Sequence, residues 1–350
     1  MGENNRLVFN YLDAYSNDTL LSMNNSDRLS FLSALKQYYL EYRNTLNIGN
    51  DALFATEIEF EDANRKNIEQ ELIKRFPDER WIVKDDGSLF NGGEINSPPF
   101  NDNKEAWDEL KMVCDIVSNN AKILENTSGH VHVCMNIFGN NPKYWRNFAL
   151  LWMTYENIIT RFLYGEFTSP RADMEKYASP IALDLIRKLD KLEDRSKMSC
   201  AYYIVKLLNS ENEKRRSINF KHADSTELYN YDREVNKNTI EFRSGNGTFN
   251  PIIWQNYINL LVKLLQYAKS DNFNEQIILN RLETIKNKMQ LDNPFYKINI
   301  KQYSYIYQDQ ALELADLIFN NNLDKIYFLR QYYKDGSIGT KPLKRVRITV

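Results

Sequence analysis

The sequence predicts an α+β fold in which a curved, mainly antiparallel sheet is backed by helices. Several short segments alternate polar and apolar residues, which is the pattern of half-buried strands. Helical segments lie among these strands without being strictly interleaved with them. The chain of 350 residues is 43% hydrophobic, which is enough for a sizeable core.

The elements of the first half follow from local patterns. Residues 1–47 are predicted to be helical because apolar side chains, such as Leu29, Leu32 and Leu35, recur at helical spacing. Alternation and β-branched residues then predict strands, with helices between them and a turn at 85–87. In order, these are a strand at 52–61, a helix at 62–76, strands at 80–84 and 93–98, a helix at 103–121 and a strand at 128–137.

The second half begins with a long apolar helix that is predicted to start at Pro142. Proline suits this position because the N–H that it lacks would have no partner in the first helical turn. Asn250 followed by Pro251 predicts the N-cap and first turn of a helix that reaches about residue 268. The remaining elements are a charged helical segment at 180–210, strands at 216–221 and 238–245, and further helices at 271–350. The chain is therefore divided into an N-terminal helical extension at 1–47, a central domain at 48–270 and a C-terminal helical region at 271–350.

Composition narrows the class of protein. Lys and Arg number 45 and Asp and Glu number 47, so the near-neutral chain shows no broad attraction to nucleic acid or anionic membrane. The three cysteines are widely spread, which argues against a disulfide framework and a structural zinc knuckle. No secretory signal or membrane-spanning run is visible. A cytoplasmic protein without a nucleic-acid or membrane partner is expected.

Charged residues occupy alternate positions on three predicted strands. They are Glu57 and Glu59, His130 and His132, and Glu241 and Arg243. Successive side chains on a strand point to opposite faces, so both members of each pair lie on one face. Such a face cannot pack as a core, because buried ions are costly unless they are paired or bound to metal. The pattern predicts a metal-loaded active site on a concave sheet, while solvated strand edges and ordinary ion pairs are the alternatives.

Two further segments strengthen this interpretation. Asp86 and Glu94 lie at either end of a tight turn followed by a glycine pair, which can bring two carboxylates beside one another. Arg243 precedes SGNG, a glycine-containing turn whose backbone N–H groups can approach an anion. Arginine also suits forked contact with phosphate oxygens. Together these features favour a phosphate-bearing ligand.

The ordered motifs TEIEFE, WIVKDDGSL with GGEINSPP, SGHVHV and TIEFRSGNGT resemble the amidoligase family, whose relatives are glutamine synthetase and the glutamate–cysteine ligases. The resemblance covers about residues 52–268. It implies that the central domain is a glutamine-synthetase-like catalytic half-barrel. It also implies an ATP-dependent ligase that joins a carboxylate to an amine.

The resemblance implies two divalent ions. Glu57 and Glu59 would each bind one of them. Gly129 stands directly before His130 in the sequence, which leaves open whether His130 or His132 binds the metal. The other expected ligands are Asp86 and Glu94 for one ion, and His130 and Glu241 for the second. Hard oxygen ligands favour Mg²⁺ or Mn²⁺ over zinc.

The remaining motif residues are expected to contact nucleotide and substrate. Arg243 would hold the transferring phosphoryl group and His132 would face phosphate, so these two and Glu241 form the expected catalytic set. Arg216 and Lys221 are weaker candidates, since a solvated basic strand edge explains them equally well. The candidate nucleotide contacts are His132, Arg243, Arg216 and Lys221, and the candidate substrate contacts are Arg171 and Tyr177.

In the reaction implied, ATP phosphorylates a carboxylate and an amine attacks the acyl phosphate, which yields an amide, ADP and phosphate. The carboxylate could belong to an amino acid, a peptide or a protein tail, and the oligomeric state is open. Three alternatives stay open. They are a guanidino-kinase type of phosphotransferase on the same sheet architecture, a zinc hydrolase using His130, His132 and His222, and a binding module without catalysis.

Overall fold

A computed structural model describes residues 3–49, 51–163, 178–188, 191, 201–209, 215–220, 223, 238–292 and 307–333. The helices are α1 (Glu3–Ala14), α2 (Asn25–Lys36), α3 (Arg65–Arg75), α4 (Lys104–Asn120), α5 (Pro142–Leu163), α6 (Ala182–Arg187), α7 (Ala201–Leu208), α8 (Pro251–Lys269), α9 (Glu275–Asp292), α10 (Gln308–Ile318) and α11 (Asn322–Tyr333). Two short 3₁₀ turns, Leu20–Ser22 and Met135–Ile137, complete the helical elements of these ranges.

The strands form a single open, curved sheet of six members. They are β1 (Phe54–Phe60), β2 (Ile82–Lys84), β3 (Gly93–Asn96), β4 (Ser128–Cys134), β5 (Ile218–Asn219) and β6 (Thr239–Asn246). Their order is β2-β3-β1-β4-β6-β5, and every neighbouring pair is antiparallel. The α+β class and the curved antiparallel sheet predicted from the sequence are confirmed.

One face of the sheet is apolar and packs against helices. Ile58, Val131 and Phe242 are at most 1% exposed, and they lie between the charged residues of their strands. Trp152 and Phe148 of α5 contact the Phe242 ring, with centroid distances of 5.6 and 6.3 Å. Burying an aromatic side chain stabilises the fold by about 1.5–3 kcal/mol. This apolar layer therefore determines that the charged residues of the strands lie on the opposite face of the sheet.

The two helices behind the sheet are largely buried, as their apolar sequences require. Helix α5 begins at Pro142, and Asn250 caps α8 by accepting a hydrogen bond from the Ile252 N–H. Both starts were predicted from the sequence. Across the described residues, no helix is long and apolar enough to cross a membrane.

The N-terminal region departs from the sequence prediction. Helix α2 ends at Lys36, and residues 37–49 carry no helix, although 1–47 was predicted to be helical. Asp102 explains part of the difference, because its carboxylate accepts hydrogen bonds from the backbone N–H groups of Leu46 and Ile48. These N–H groups are therefore already satisfied, and the Asp102 carboxylate competes with the hydrogen bonds of a helix.

Elsewhere, as far as the described residues reach, the predicted elements are present with adjusted ends. The strand predicted at 216–221 is shorter, since β5 contains only Ile218–Asn219. The strand predicted at 128–137 ends at Cys134, where the 3₁₀ turn Met135–Ile137 takes over. Helices α9 to α11 agree with the predicted helical tail over the part of 271–350 that the structure describes.

Candidate metal centre and active site

Strand pairing brings the predicted charged residues onto one face. Glu57 of β1 lies opposite His130 of β4, and His132 lies opposite Glu241 of β6. Directly opposed residues of antiparallel strands project to the same side and are close neighbours. The register therefore gathers side chains from three strands at the middle of the sheet.

Glu57 is the centre of this cluster. His130 Nδ1 lies 2.9 Å from Glu57 Oε2, and His132 Nε2 lies 3.0 Å from Glu57 Oε1. The three residues are 3–7% exposed. One buried carboxylate thus stands between two imidazoles.

Glu241 supplies the second carboxylate of the cluster. Its Oε1 lies 3.7 Å from His130 Nδ1, and its Oε2 accepts a hydrogen bond of 2.7 Å from Asn219 Nδ2. Arg243, two residues further along β6, forms an ion pair with the same carboxylate. Arg243 and Glu241 therefore share the face, as the alternation predicted.

The electrostatics of the two carboxylates favour their charged forms. Burial by itself would raise the pKa of Glu57, but hydrogen bonds and charge from His130 and His132 outweigh burial and hold that pKa well below its usual range. The pKa of Glu241 is also lowered, because Arg243 and both histidines overcome its burial. The cluster offers anionic oxygen ligands at neutral pH.

Three of these residues are arranged as a metal-binding group. Glu57, His130 and Glu241 each offer one ligand atom, and the three atoms lie within 4.8 Å of one another. Two carboxylate oxygens with one imidazole nitrogen form a donor set that suits Mg²⁺ or Mn²⁺. The residues present fit a divalent cation, and the grouping favours His130 over His132 as the ligand.

A second acidic group lies beside the first. Glu59 of β1 is paired directly with Glu94 of β3. Burial raises the pKa of Glu94, and the charges of Glu57 and Asp86 raise it further. Like charges directly opposed on neighbouring strands destabilise a sheet, and Lys84 Nζ is 3.8 Å from Glu94 Oε1. A cation at this position would relieve the remaining repulsion.

Polar side chains orient the cluster. Ser128 Oγ lies 2.9 Å from His130 Nε2, and Thr239 Oγ1 lies 3.1 Å from His132 Nδ1. The Ser128 N–H also donates a hydrogen bond of 2.6 Å to Glu59 Oε2. Such partners fix the direction of metal-binding side chains. Sequence reasoning missed these roles for Ser128, Thr239 and Asn219, although Ser128 and Thr239 share their strand face with a predicted ligand.

Glycine lets the backbones of β4 and β6 approach at the edge of the site. A Cβ placed on Gly245 would lie 2.5 Å from the Gly129 carbonyl oxygen. The strand pairing is also irregular between Gly129 and Val131. Such a bulge bends a strand, and the bend lies next to His130.

Arg216, a predicted phosphate contact, is engaged with the segment 178–188. Its Nη2 lies 2.6 Å from Asp184 Oδ2. Glu156 of α5 anchors the same segment and is fully buried, with burial raising its pKa. Its carboxylate accepts hydrogen bonds from Trp152 Nε1, Ser217 Oγ and the backbone N–H groups of Ile181 and Ala182.

Some predicted residues have no described position. Arg171, Tyr177, Lys221 and His222 lie outside the described residues. Their predicted roles stay predictions. The predicted ligands and phosphate contacts that share the sheet face are Glu57, Glu59, Glu94, His130, His132, Glu241 and Arg243.

The family comparison matches residues 63–265 to the model described as "putative amidoligase enzyme". The chain belongs to this amidoligase family. Membership supports a ligase-type enzyme in general and confirms the resemblance seen in the motifs. The match begins after β1, so Glu57 and Glu59 join the site through sheet pairing with matched strands. The comparison with curated proteins gave no match.

Proposed function

We propose that this amidoligase is an ATP-dependent carboxylate–amine ligase, which forms an amide or isopeptide bond through an acyl phosphate. The observation that supports the proposal is the buried group Glu57, His130 and Glu241 beside Arg243, in a chain of the amidoligase family. The group combines anionic metal ligands with a guanidinium on one sheet face. That combination suits the charged phosphates of a nucleotide.

Two sets of residues would hold cations. Glu57, His130 and Glu241 form the first set, and the second consists of Glu59, Asp86 and Glu94. Bound Mg²⁺ or Mn²⁺ would supply charge neutralisation for the nucleotide phosphates. The opposed pair Glu59 and Glu94 supports the second set, because the pair gains a bridging counter-charge.

Arg243 would bind the transferring phosphoryl group. Its guanidinium now pairs with Glu241, and a phosphoryl oxygen is an equally suited partner for its forked donors. His132 would contact the phosphates from β4, and Arg216 and Lys221 are weaker candidates. Arg171 and Tyr177 stay the proposed substrate contacts.

The proposed chemistry has two steps. A carboxylate oxygen of the substrate attacks the γ-phosphorus of ATP, and ADP leaves with the electrons of the broken bond. An amine then attacks the carbonyl carbon of the acyl phosphate, phosphate leaves, and the nitrogen loses its proton to water. The carboxylate of an amino acid, a peptide or a protein tail would fit this scheme, and the amine is open.

The test is ADP release with Mg²⁺ and ATP across a panel of carboxylates and amines. Glu241→Gln and Arg243→Ala should each lower turnover by at least about a hundredfold, because each removes a charged group from the phosphate region. Glu105→Gln and Arg187→Ala change the same residue types at exposed helical positions and serve as matched controls. Full turnover in both site variants would contradict the proposal.

Product analysis separates the ligase from its alternatives. A ligase forms one amide for each ADP released. A guanidino-kinase type of phosphotransferase would instead give a stable phosphorylated product and no amide. A hydrolase would need no nucleotide.

A further inference from the structure

Strand β1 continues into a third acidic residue on the face of the candidate metal centre. Glu61 follows Glu57 and Glu59 at the same spacing of two residues. Its backbone stays extended, because its N–H and carbonyl pair with the carbonyl and N–H of Lys122 at 2.9 and 2.8 Å. Alternation along an extended chain places the three carboxylates on one side.

The Glu61 side chain is buried, with 1% of the residue exposed. Its Oε1 accepts a hydrogen bond of 2.8 Å from the Phe90 N–H. Its Oε2 is buried and has no hydrogen-bond partner within the described part of the chain. A buried carboxylate oxygen left without a partner costs free energy, so this oxygen is suited to a ligand.

The charges around Glu61 are of the wrong sign to satisfy it. In the part of the chain that the structure describes, the charges that act on its carboxyl are those of Glu59 and Glu125, and both are negative. Lys122 faces Glu61 across the backbone bridge, yet its ammonium pairs with Asp62. The position accordingly combines an unsatisfied carboxyl oxygen with further negative charge, which is an environment that attracts a cation.

Glu61 also contacts the loop that carries Asp86. The hydrogen bond to Phe90 fastens residues 85–92 against the end of β1. The Ala63 N–H donates a second hydrogen bond of 3.1 Å to the Asn91 carbonyl of the same loop. Glu61 is therefore placed between Glu59 on its own strand and the loop that contributes Asp86.

We propose that Glu61 binds the second divalent cation through Oε2, together with Glu59. This inference rests on the proposed function, because it assigns a further ligand to one of the two cations proposed there. Oε1 would keep its hydrogen bond to Phe90, so one carboxylate would couple cation binding to the position of the Asp86 loop.

Glu61→Gln separates a ligand from a loop anchor. The glutamine amide oxygen can still accept the Phe90 hydrogen bond, whereas the side chain loses the negative charge that a cation requires. Glu125→Gln removes the same charge from an exposed neighbour and is the matched control. Far-UV circular dichroism checks that each variant is folded.

The experiment measures Mn²⁺ binding to the full chain without nucleotide, by calorimetry and by the free-Mn²⁺ paramagnetic resonance signal. Wild type and Glu125→Gln should bind two ions, and Glu61→Gln should lose one or bind it at least about tenfold more weakly. Glu241→Gln should affect the other ion.

Unchanged binding by Glu61→Gln, or an equal loss in Glu125→Gln, would overturn the role of Glu61. The first cation, and with it the proposed function, would stand if Glu241→Gln still lost an ion. Absence of Mn²⁺ binding by the wild type would overturn both, so the two failures are distinguishable.

Discussion

Glu241→Gln should remove most of the stabilisation that the folded protein gains from the cation of Glu57, His130 and Glu241. Glu241 is one of three residues whose ligand atoms lie within 4.8 Å of one another. Glutamine keeps the volume and can still interact with Asn219. It cannot supply the anionic oxygen, so a cation would retain only Glu57 and His130.

The size of the effect follows from linkage between binding and folding. A cation that binds only the folded state stabilises it by about 2.7 kcal/mol at a concentration of 100 times Kd. Unfolding entropy of about 2.1 cal/mol/K per residue gives about 0.7 kcal/mol/K for 350 residues. Each Mg²⁺ bound at 100 times its Kd should therefore raise the wild-type Tm by about 4 °C.

The assay is differential scanning calorimetry of each protein with and without Mg²⁺, so that any change in metal-free stability cancels. At the same Mg²⁺ concentration, the shift of Glu241→Gln should be about 4 °C smaller than that of the wild type, which is the contribution of one ion. Glu105→Gln, an exposed substitution of the same type, should show the whole shift. An equal shift in wild type and Glu241→Gln would refute the assignment of Glu241 as a ligand.

Three further predictions concern the framework around the site. Gly245→Ala should lower the free energy of unfolding by about 2 kcal/mol in urea titrations, because the new Cβ would lie 2.5 Å from a backbone carbonyl; Gly87→Ala, with open space around the Cβ, should be neutral. Glu156→Ala should cost about 3 kcal/mol or more, since four buried or backbone donors lose their acceptor, and an unchanged urea midpoint would contradict this. Hydrogen bonds lower the pKa of Asp102 in the folded protein despite its burial. The charged carboxylate therefore stabilises the fold above the unfolded-state pKa of about 4, and this stabilisation is lost as the pH falls through the lower pKa of the folded state. Asp102→Asn should accordingly destabilise at pH 7 by about 1–3 kcal/mol, and a difference from wild type that persisted undiminished at pH 2 would contradict the prediction.

Most of the sheet and its charged face could be predicted from the sequence. The period of two in TEIEFE, SGHVHV and TIEFRSGN reports directly which residues share a face. Strand order could not be obtained in this way, because the pairing of β1 with β4 and of β4 with β6 depends on contacts distant in sequence. The resemblance to the amidoligase family supplied the grouping that local patterns lack.

The failures have physical causes. Residues 37–49 follow a segment whose apolar residues have helical spacing, and the prediction extended that helix to residue 47. Hydrogen bonds from Leu46 and Ile48 to the distant Asp102 hold this segment in another conformation. Arg216 pairs with Asp184, 32 residues earlier in the chain, and no local pattern could predict this ion pair. Its contact with phosphate stays a prediction. The sequence analysis assigned no role to Glu61, because only three-dimensional packing reveals that it is buried.

The proposed function depends on a divalent cation that is bound by Glu57, His130 and Glu241 and contacts a nucleotide. The most direct measurement is an anomalous difference map from crystals grown with Mn²⁺ and a non-hydrolysable ATP analogue. A manganese peak is expected within coordination distance of all three side chains, with the analogue's phosphates beside Arg243. A map with the analogue bound elsewhere, or without manganese between these residues, would contradict it.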